Sequence, residues 1–445
     1  MQTKFKAAIV INAIEPVFFT AKHLFQCSIL VQEQTPLAEF AVANFSRQKL
    51  IYFKAQAACE EPLTFAEILA KTNLGEQLVA QQIKYLVVPH RSSIFIEQWA
   101  KKRGIELMVT PWSTQKRLED KIYFDNLLKK YRLASPPTVN LAGRDLEKVN
   151  HKSYVVQKSG SYGLFGTKFM SASDLSAFRK KHLRQVSSYL VREYLPGVPI
   201  GVTIFLDKAG NYFYAGLRRQ CFLNKNGFPS IFSGIQWLPA NFFGSKTLSS
   251  ISTQLEHLTK LLQKENFYGV ANVDILISQE KALVLECNPR LSSATPHIFA
   301  GLSLATNPNP WQFFLDTFWD KQQLTISDRR LPVSDFTGSL LDIDLAATGS
   351  LKQILPVGVY SFKNGRVKFV GQRMKIFFNH PDYFLLFHEL RQISALKRGA
   401  TLCTILSNFP VFDLESGELN QAGKEIWSYF REMFLANKNN NKLNL

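Results

Sequence analysis

Polar and apolar residues alternate in the stretch VLECNPRLSS, which begins at Val284. Because strand side chains alternate between faces, Glu286, Asn288 and Arg290 are predicted to share one face with Val284. Asp274 lies on a preceding strand. If the numbers of paired residues in this hairpin add up to an even number, as with a five-residue loop, Asp274 lies on the same face as Glu286. Two such carboxylates repel each other unless a cation such as Mg²⁺ binds between them. The Asn288 amide could add an oxygen ligand and Arg290 could hold a developing negative charge; the alternative is a salt bridge at a strand end.

A glycine-rich loop follows another predicted strand. Lys158 ends the segment SYVVQK, and Gly160, Gly163 and Gly166 follow within KSGSYGLFGT. Glycines let backbone N–H groups approach phosphate oxygens, and a lysine beside them could direct a compact charge at a phosphate. The loop is not a Walker A motif, because the order Gly-Lys-Ser/Thr is absent and a strand follows. A plain turn, with a lysine reaching into solvent, is the alternative.

Three further residues could contact an anionic substrate. Arg218 and Arg219 occur in AGLRRQCF, after a predicted hairpin turn, and could bind a carboxylate or phosphate. Since adjacent strand residues face opposite sides, one of the two arginines is expected to point toward the site. His297, in TPHIF, could contact substrate near the metal face, and a capping or core histidine is the alternative.

The elements that must position these residues follow from hydrophobic periodicity. EDKIYFDNLLKKYRL predicts a helix that buries residues 124, 127, 128 and 131 and starts near Asp120. Segments 153–170, 201–222 and 270–290 are predicted strand pairs, 189–197 a strand running into a turn, and 252–269 a helix.

The two ends of the chain have different patterns. Residues 84–89 and 105–110 are predicted strands that flank a helix at 92–104, which is typical of a parallel α/β domain. Asn364-Gly365 predicts a hairpin turn that pairs residues 360 with 369 and 362 with 367, and a helix is predicted at 423–434.

Composition narrows the class of protein. The chain has 445 residues, 46% of them hydrophobic, and a formal charge of +18. The charge indicates a basic surface or an anionic partner, but the basic residues are dispersed, which argues against nucleic-acid binding. Five scattered cysteines favour a reducing, cytoplasmic setting. No apolar run is long enough for a membrane span, and the N-terminal apolar run is interpreted as a strand rather than a signal peptide.

The order of these motifs resembles the ATP-grasp ligases of the biotin carboxylase and D-alanine–D-alanine ligase type, over roughly residues 114–305. The resemblance implies a mixed α/β and α+β protein with an ATP-grasp fold. The expected parts are an N-terminal parallel α/β, or preATP-grasp, domain (1–113), an ATP-grasp domain (114–325), a C-terminal α+β domain (326–436) and a disordered tail (437–445).

Residue roles follow from the same resemblance. Lys121 and Lys158 resemble the lysines that touch ATP, and Lys158 and Arg290 are the expected catalytic residues. The sets carried over are the lid residues Gly160, Ser161 and Gly163, the adenine hinge Glu193, Tyr194 and Leu195, and the Mg²⁺ (or Mn²⁺) ligands Asp274, Glu286 and Asn288. Departures from the family pattern are Asp274 in place of the more frequent glutamate, Tyr162 and Phe165 within the lid, and Gly201.

The implied activity is an ATP- and Mg²⁺-dependent ligase that joins a small-molecule carboxylate to an amine through an acyl-phosphate. The alternatives are an ATP-grasp kinase that stops at a phosphorylated product and a non-catalytic nucleotide-binding regulator. A homodimer is expected and a membrane partner is not. The sequence does not identify the carboxylate or the amine.

Overall fold

The computed structural model describes the chain in separate stretches. These are residues 6–11, 26–32, 35–44, 50–53, 65–88, 91–138, 153–160, 166–182, 188–225, 228–239, 241–292, 314, 317–318, 337–345, 349–388, 390, 395–396 and 401–435. The predicted tail at 437–445 lies outside them.

Helices and strands are numbered in chain order. The described helices are Pro36–Asn44 (α1), Phe65–Lys71 (α2), Leu74–Ala80 (α3), Ile94–Lys101 (α4), Trp112–Glu119 (α5), Lys121–Lys130 (α6), Ala172–Lys181 (α7), Ser245–Lys264 (α8) and Gln421–Phe434 (α9). The described strands are Lys6–Ile11 (β1), Gln26–Gln32 (β2), Leu50–Phe53 (β3), Tyr85–Val87 (β4), Glu106–Met108 (β5), Ser153–Lys158 (β6), Thr167–Ser171 (β7), Tyr189–Glu193 (β8), Val198–Leu206 (β9), Tyr212–Lys225 (β10), Phe228–Trp237 (β11), Gly269–Ser278 (β12), Lys281–Asn288 (β13), Ser339–Asp344 (β14), Gly349–Ser350 (β15), Gly358–Lys363 (β16), Arg366–Gly371 (β17), Tyr383–Phe387 (β18), Ala395–Leu396 (β19) and Thr401–Ser407 (β20).

The N-terminal region is a parallel α/β unit, as its sequence pattern predicts. Its five strands pair in the order β3-β2-β1-β4-β5, all parallel. Helix α4 begins at an N-cap, Ser93, whose hydroxyl accepts from the N–H of Ile96 at 3.2 Å. It buries Ile96, Trp99 and Ala100, which lie three and four residues apart on one helix face.

A ten-stranded sheet forms the centre of the molecule. Its order is β13-β12-β9-β10-β11-β14-β20-β18-β16-β17, and all neighbouring strands in it are antiparallel. Helices α6 and α8 cover one face near β9 and β12, where Leu128, Leu255 and Leu258 pack against Val202 and Val273. The opposite face of the same strands carries the polar residues singled out by the sequence.

A smaller three-stranded sheet, in the order β7-β6-β8, lies beside it and ends in the segment that leads into β9. The strand–loop–strand pattern predicted at 153–170 is confirmed, since β6 and β7 are antiparallel partners from Ser153↔Ser171 to Gln157↔Thr167. Helix α7 packs against this sheet through Leu175 and Phe178.

The C-terminal strands continue the ten-stranded sheet. The predicted hairpin is confirmed: Asn364 and Gly365 have φ of 51° and 72°, the left-handed values that a tight hairpin turn requires. Tyr360 pairs with Phe369, and Phe362 with Val367. Because β11 pairs with β14, the sheet is continuous across the predicted boundary at 325, and the domain limits remain predictions. No helix among the described residues is long and apolar enough to cross a membrane.

Candidate active site

The hairpin β12–β13 brings Asp274 and Glu286 directly opposite each other. It does so with a two-residue turn, Gln279-Glu280, whose φ values are 48° and 63°. In a regular hairpin this tight turn would pair Asp274 with Leu285 rather than with Glu286. The register shifts by one residue between Asp274 and Ile275, so a β-bulge at Leu285 brings Glu286 opposite Asp274.

The bulge also changes which face Val284 occupies. Val284 is fully buried in the helix-covered core together with Cys287, whereas Glu286 is half-buried on the other face. The prediction that Val284 and Glu286 share a face is therefore wrong, because strict alternation does not anticipate the extra residue. Cys287 lies in the core as the sequence predicts.

A buried ion pair holds the bulge in place. Arg192, at 3% exposure, donates from Nη1 to the carbonyl oxygen of Leu285 at 2.8 Å. Its Nη2 lies 2.8 Å from Oδ1 of Asp125 on α6. The N–H of Val284 donates to the carbonyl of Ala134 at 2.8 Å, so the edge of β13 is protected by the linker after α6.

Lys121 lies against the opposed carboxylates. Its Nζ is 2.6 Å from Oε2 of Glu286, and the lysine side chain is 5% exposed. Burial would raise the pKa of Glu286, but the charge and hydrogen bond of Lys121 outweigh it and lower that pKa. Burial, and then the charge of Glu286, raise the pKa of Asp274 well above its ordinary value, although Lys121 and a 2.7 Å hydrogen bond from Gln220 Nε2 oppose the rise.

These oxygens suit a hard divalent cation. Burial and the adjacent Glu286 raise the pKa of Asp274, and Mg²⁺ bound between the two carboxyl groups would supply the compensating charge. Among the described residues no three His, Cys, Asp or Glu side chains converge. The predicted site therefore offers two carboxylates, which leaves coordination positions for phosphate oxygens and water.

Asn288 and Arg290 continue the polar face past the end of β13. The Asn288 amide donates to Oε1 of Glu286 at 3.3 Å, and its oxygen lies 3.5 Å from Nη2 of Arg290. Arg290 donates from Nε to Oε1 of Glu119 at 2.6 Å. Glu119, at the end of α5, was not found from the sequence, because nothing in a helix marks a contact 171 residues away.

A row of paired residues extends the site across five strands. Glu286 pairs with Asp274, Asp274 with Gly201, Gly201 with Arg218, and Arg218 with Trp237. Residues directly opposite in a sheet share a face, so the row runs from the acids to an arginine. Gly201 contributes no side chain, and a Cβ there would meet Nη2 of Arg218 at 3.5 Å and Nε2 of Gln220 at 4.0 Å, so these two side chains cover the glycine between the acids and the arginine.

Arg218 is a buried guanidinium, at 2% exposure. It donates to the carbonyl of Gly216 at 3.1 Å and to the hydroxyl of Thr203 at 2.9 Å, and lies 5.7 Å from the centre of the Trp237 ring. No described carboxylate forms an ion pair with it. Burial lowers the pKa of Arg218 to about 9, and the charge of Asp274 opposes this.

Arg219 is not brought to the site. Because it is the next residue on β10, it points to the other face, where Nη1 donates to the carbonyl of Leu414 at 2.7 Å. Its side chain also packs on Gly417, within the loop that precedes α9. The expectation that one of the two arginines faces the site is met by Arg218, and Arg219 joins the C-terminal loop to the sheet.

The predicted nucleotide residues lie on the smaller sheet and on the segment that leads from it. Lys158 is exposed at the end of β6, and Gly160 follows with φ of 75°. The N–H groups of Glu193 and Tyr194 donate to the carbonyls of Pro137 and Ser153, at 2.9 and 2.8 Å. Leu195 is half-buried in the same segment. Three predicted site residues lie outside the described residues: Ser161, Gly163 and His297.

Two further polar residues line the same face. Thr203 donates to Oδ1 of Asn272 at 2.6 Å, and Nδ2 of Asn272 donates to the carbonyl of Arg290 at 2.8 Å. Asn272 lies two residues before Asp274, so the period-two pattern that identified the acid could also have identified this amide. The pair connects Arg218 to the backbone of Arg290.

The architecture matches solved structures over nearly the whole chain. The biotin carboxylase domain of 2-oxoglutarate carboxylase from Hydrogenobacter thermophilus superimposes with a TM-score of 0.62 at 13% identity, covering 91% of this chain and 86% of that chain. L-amino acid ligase from Bacillus licheniformis gives 0.58 at 13% identity and 97% of each chain. Both are ATP-grasp enzymes. The chain has an ATP-grasp fold.

Sequence comparison matches a shorter part of the chain to large chains of carbamoyl phosphate synthase. The carbamoyl phosphate synthase large chain of Thermotoga neapolitana is 25% identical over 259 residues, which are 55% of this chain and 22% of that protein. The arginine-specific large chain of Geobacillus stearothermophilus is 24% identical over 295 residues, 64% of this chain and 26% of that protein. The chain thus spans about a quarter or less of these curated relatives, and no protein-family model matches it.

Proposed function

We propose that the protein is an ATP- and Mg²⁺-dependent ligase that joins a carboxylate to an amine through an acyl-phosphate. One observation carries the proposal: Asp274 and Glu286 oppose each other across a bulged hairpin, with Lys121 against them, in an ATP-grasp fold. The fold neighbours support it, since the Hydrogenobacter thermophilus domain was crystallised with MgADP and bicarbonate. A Campylobacter jejuni biotin carboxylase of TM-score 0.62 was crystallised with an ATP ligand.

The nucleotide lies, in this proposal, between the smaller sheet and the polar face of the large one. Lys121 and Lys158 bind its phosphates, and Gly160, Ser161 and Gly163 form the lid that excludes water. Backbone groups of the hinge Glu193, Tyr194 and Leu195 bind the adenine. The ion pair of Arg192 with Asp125 supports this arrangement, because it joins the hinge strand to the helix that begins with Lys121.

The residues that would hold the metal are Asp274, Glu286 and Asn288. When bound, Mg²⁺ neutralises charge on the transferring phosphoryl group. Lys121 must then exchange its contact with Glu286 for one with phosphate, which its flexible side chain permits. Asn288 would need to turn its amide oxygen toward the metal, away from Arg290.

The chemistry takes two steps. A carboxylate oxygen of the substrate attacks the γ-phosphorus of ATP, and the bond to the bridging oxygen breaks as ADP leaves. The amine nitrogen then attacks the acyl carbon, the amide forms, and phosphate leaves with the electron pair while the amine loses a proton. Arg290 and Lys158 stabilise the developing negative charge, and the fold positions the reactants.

Arg218 is the proposed anchor for the substrate carboxylate. It is charged, buried, without an ionic partner among the described residues, and in the same row as the acids. A bound carboxylate would supply the counter-charge that a buried guanidinium lacks and would accept two hydrogen bonds from its fork. Because Gly201 separates Arg218 from Asp274 in the row, β9 places no side chain between the anchor and the acids.

The test is an assay of ADP and phosphate release with panels of carboxylates and amines. The ligase predicts phosphate release that requires ATP, Mg²⁺, a carboxylate and an amine together. A stable phosphorylated product without free phosphate would show a kinase instead. Nucleotide binding without turnover over the whole panel would favour a regulator. A homodimer and a reducing cytoplasmic location remain predictions, which mass photometry and cell fractionation would test.

A further inference from the structure

Helix α5 places a buried carboxylate between two arginines. Oε1 of Glu119 accepts from Nε of Arg290 at 2.6 Å, and Oε2 lies 2.5 Å from Nη2 of Arg91. The Glu119 side chain is only 4% exposed, whereas those of Arg91 and Arg290 are 33% and 15% exposed. Arg91 belongs to the segment that follows β4 of the parallel sheet, so one carboxylate connects that sheet to the candidate active site.

Gln115, one helical turn earlier, makes a second connection of the same kind. The N–H of Ser92 donates to its Oε1 at 2.8 Å, and its Nε2 donates to the carbonyl of Pro289 at 3.3 Å. Gln115 is fully buried. Residues four apart lie on one helix face, so α5 presents Gln115 and Glu119 together, with segment 91–92 on one side and segment 289–290 on the other.

The geometry fixes the direction of the Arg290 guanidinium. The group is planar and rigid, so a bond at Nε sets the orientation of the whole fork. With Nε on Glu119, Nη1 donates to the carbonyl of Leu291 at 3.2 Å and Nη2 lies 3.5 Å from the Asn288 oxygen. The fork is thereby turned toward the end of β13 that carries Glu286 and Asn288.

We infer that Glu119 is a positioning residue: it orients Arg290 for charge stabilisation in the proposed reaction, and through Arg91 it makes that orientation depend on the packing of the N-terminal sheet. This inference rests on the proposed function. Glu119 does not touch the reactants. Its effect is on the angle at which Arg290 approaches the phosphoryl group, and α5 is the element that transmits it.

The variant that isolates this role is Glu119→Gln, which keeps the size of the side chain and removes its charge. We expect kcat to fall on the order of 10- to 100-fold, as for other residues that orient an active-site group, with the KM for ATP within about threefold of wild type. The matched control is Glu265→Gln. Glu265 is also a little-exposed glutamate, 13%, 3.9 Å from Arg117 and 2.9 Å from the Tyr123 hydroxyl, outside the site. Its kcat should stay within about twofold of wild type.

The coupling to the N-terminal sheet is tested with Arg91→Met. We expect a smaller loss of kcat than in Glu119→Gln, and the double variant should be no slower than Glu119→Gln alone, because both changes act through one carboxylate. If the loss of kcat in the double variant equals the product of the losses in the two single variants, the coupling is refuted. Unchanged kcat in Glu119→Gln, with a loss of stability like that of Glu265→Gln, would overturn the positioning role.

A readout that does not need turnover separates this inference from the proposed function. The Nε–H signal of Arg290 in a ¹H–¹⁵N spectrum, assigned by its loss in Arg290→Lys, should shift in Glu119→Gln and stay in place in Glu265→Gln. If the wild-type protein turns over no ATP, the proposed function fails, but this shift still reports the contact between Glu119 and Arg290. An unshifted signal would show that Glu119 does not hold Arg290.

Discussion

In the proposed metal site, Asp274 would exchange a proton for Mg²⁺, which makes Asp274→Asn an informative change. Burial and the nearby Glu286 raise the pKa of Asp274, so the metal-free fold favours the neutral carboxyl group. Asparagine has the same shape and is neutral. Its oxygen can still accept from Gln220, as Oδ1 of Asp274 does at 2.7 Å, and its amide can donate to Glu286 opposite.

The metal-free variant should therefore be about as stable as wild type. No buried group loses a partner, so the free energy of unfolding should fall by less than about 1 kcal/mol at pH 5, the value of one neutral hydrogen bond. The folded pKa of Asp274 lies above its unfolded value, so its contribution to stability is present below the ordinary value of 3.8 and is lost as the pH rises through the raised pKa. The variant lacks this loss and should gain stability relative to wild type over that range.

With Mg²⁺ present, wild type should instead be more stable than the variant. In wild type the metal replaces the proton, and MgADP at a hundred times its Kd adds about 2.7 kcal/mol to the free energy of unfolding. The variant keeps one of the two carboxylates and should lose most of that gain. Its turnover should fall about 1,000-fold, which corresponds to about 4 kcal/mol in the barrier.

Urea unfolding followed by intrinsic fluorescence, from pH 5 to 8, with EDTA or with MgADP, measures both effects. The matched control is Asp342→Asn on β14, since burial raises the pKa of Asp342 to about 7 and this residue lies outside the site. The control should share the pH-dependent gain in stability and keep the full response to MgADP. The reasoning is refuted if Asp274→Asn lowers metal-free stability by more than about 2 kcal/mol, or retains the MgADP response.

Three other changes test separate parts of the account. Lys158→Ala should weaken ATP binding about tenfold by calorimetry, because a phosphate loses one charged contact, whereas exposed Lys180→Ala should not; equal affinities would remove Lys158 from the site. Arg218→Gln should raise the KM for the carboxylate at least tenfold and leave the KM for ATP within about twofold, and a matched rise in both would contradict the anchor. Burial lowers the pKa of His388 from 6.5 to about 4, so its contribution to stability is present above 6.5 and is lost as the pH falls through 4. His388→Gln should remove about 3 kcal/mol of that acid dependence in denaturant titrations, and an unchanged pH profile would count against a buried neutral histidine.

Local patterns predicted the parts of the fold that depend on local physics. The helix from Lys121, the Asn364-Gly365 turn and its strand pairs, and the parallel N-terminal sheet follow from periodicity and turn chemistry. The shared face of Asp274 and Glu286 was predicted as well, but from a longer loop. The structure obtains it with a tight turn and a bulge, since Arg192 binds the carbonyl of the extra residue.

Contacts between distant segments could not be predicted. Glu119 and Gln115 carry no signal in their own helix, because their partners at 289–290 and 91–92 are brought together only by the packing of α5. The separation of Arg218 from Arg219 was predictable as alternation, but which arginine faces the acids depends on the register of β10 with β9. Side-chain type and spacing thus identified the two acids, whereas strand register determines that Arg218 shares their face.

A crystal grown with Mn²⁺ and a non-hydrolysable ATP analogue tests the central claim most directly. The account predicts an anomalous peak about 2.0–2.3 Å from carboxylate oxygens of both Asp274 and Glu286, in contact with the phosphates of the analogue. Lys121 should have moved from Glu286 to a phosphate. A metal peak elsewhere, or a nucleotide bound while Lys121 and Glu286 remain paired, would contradict it.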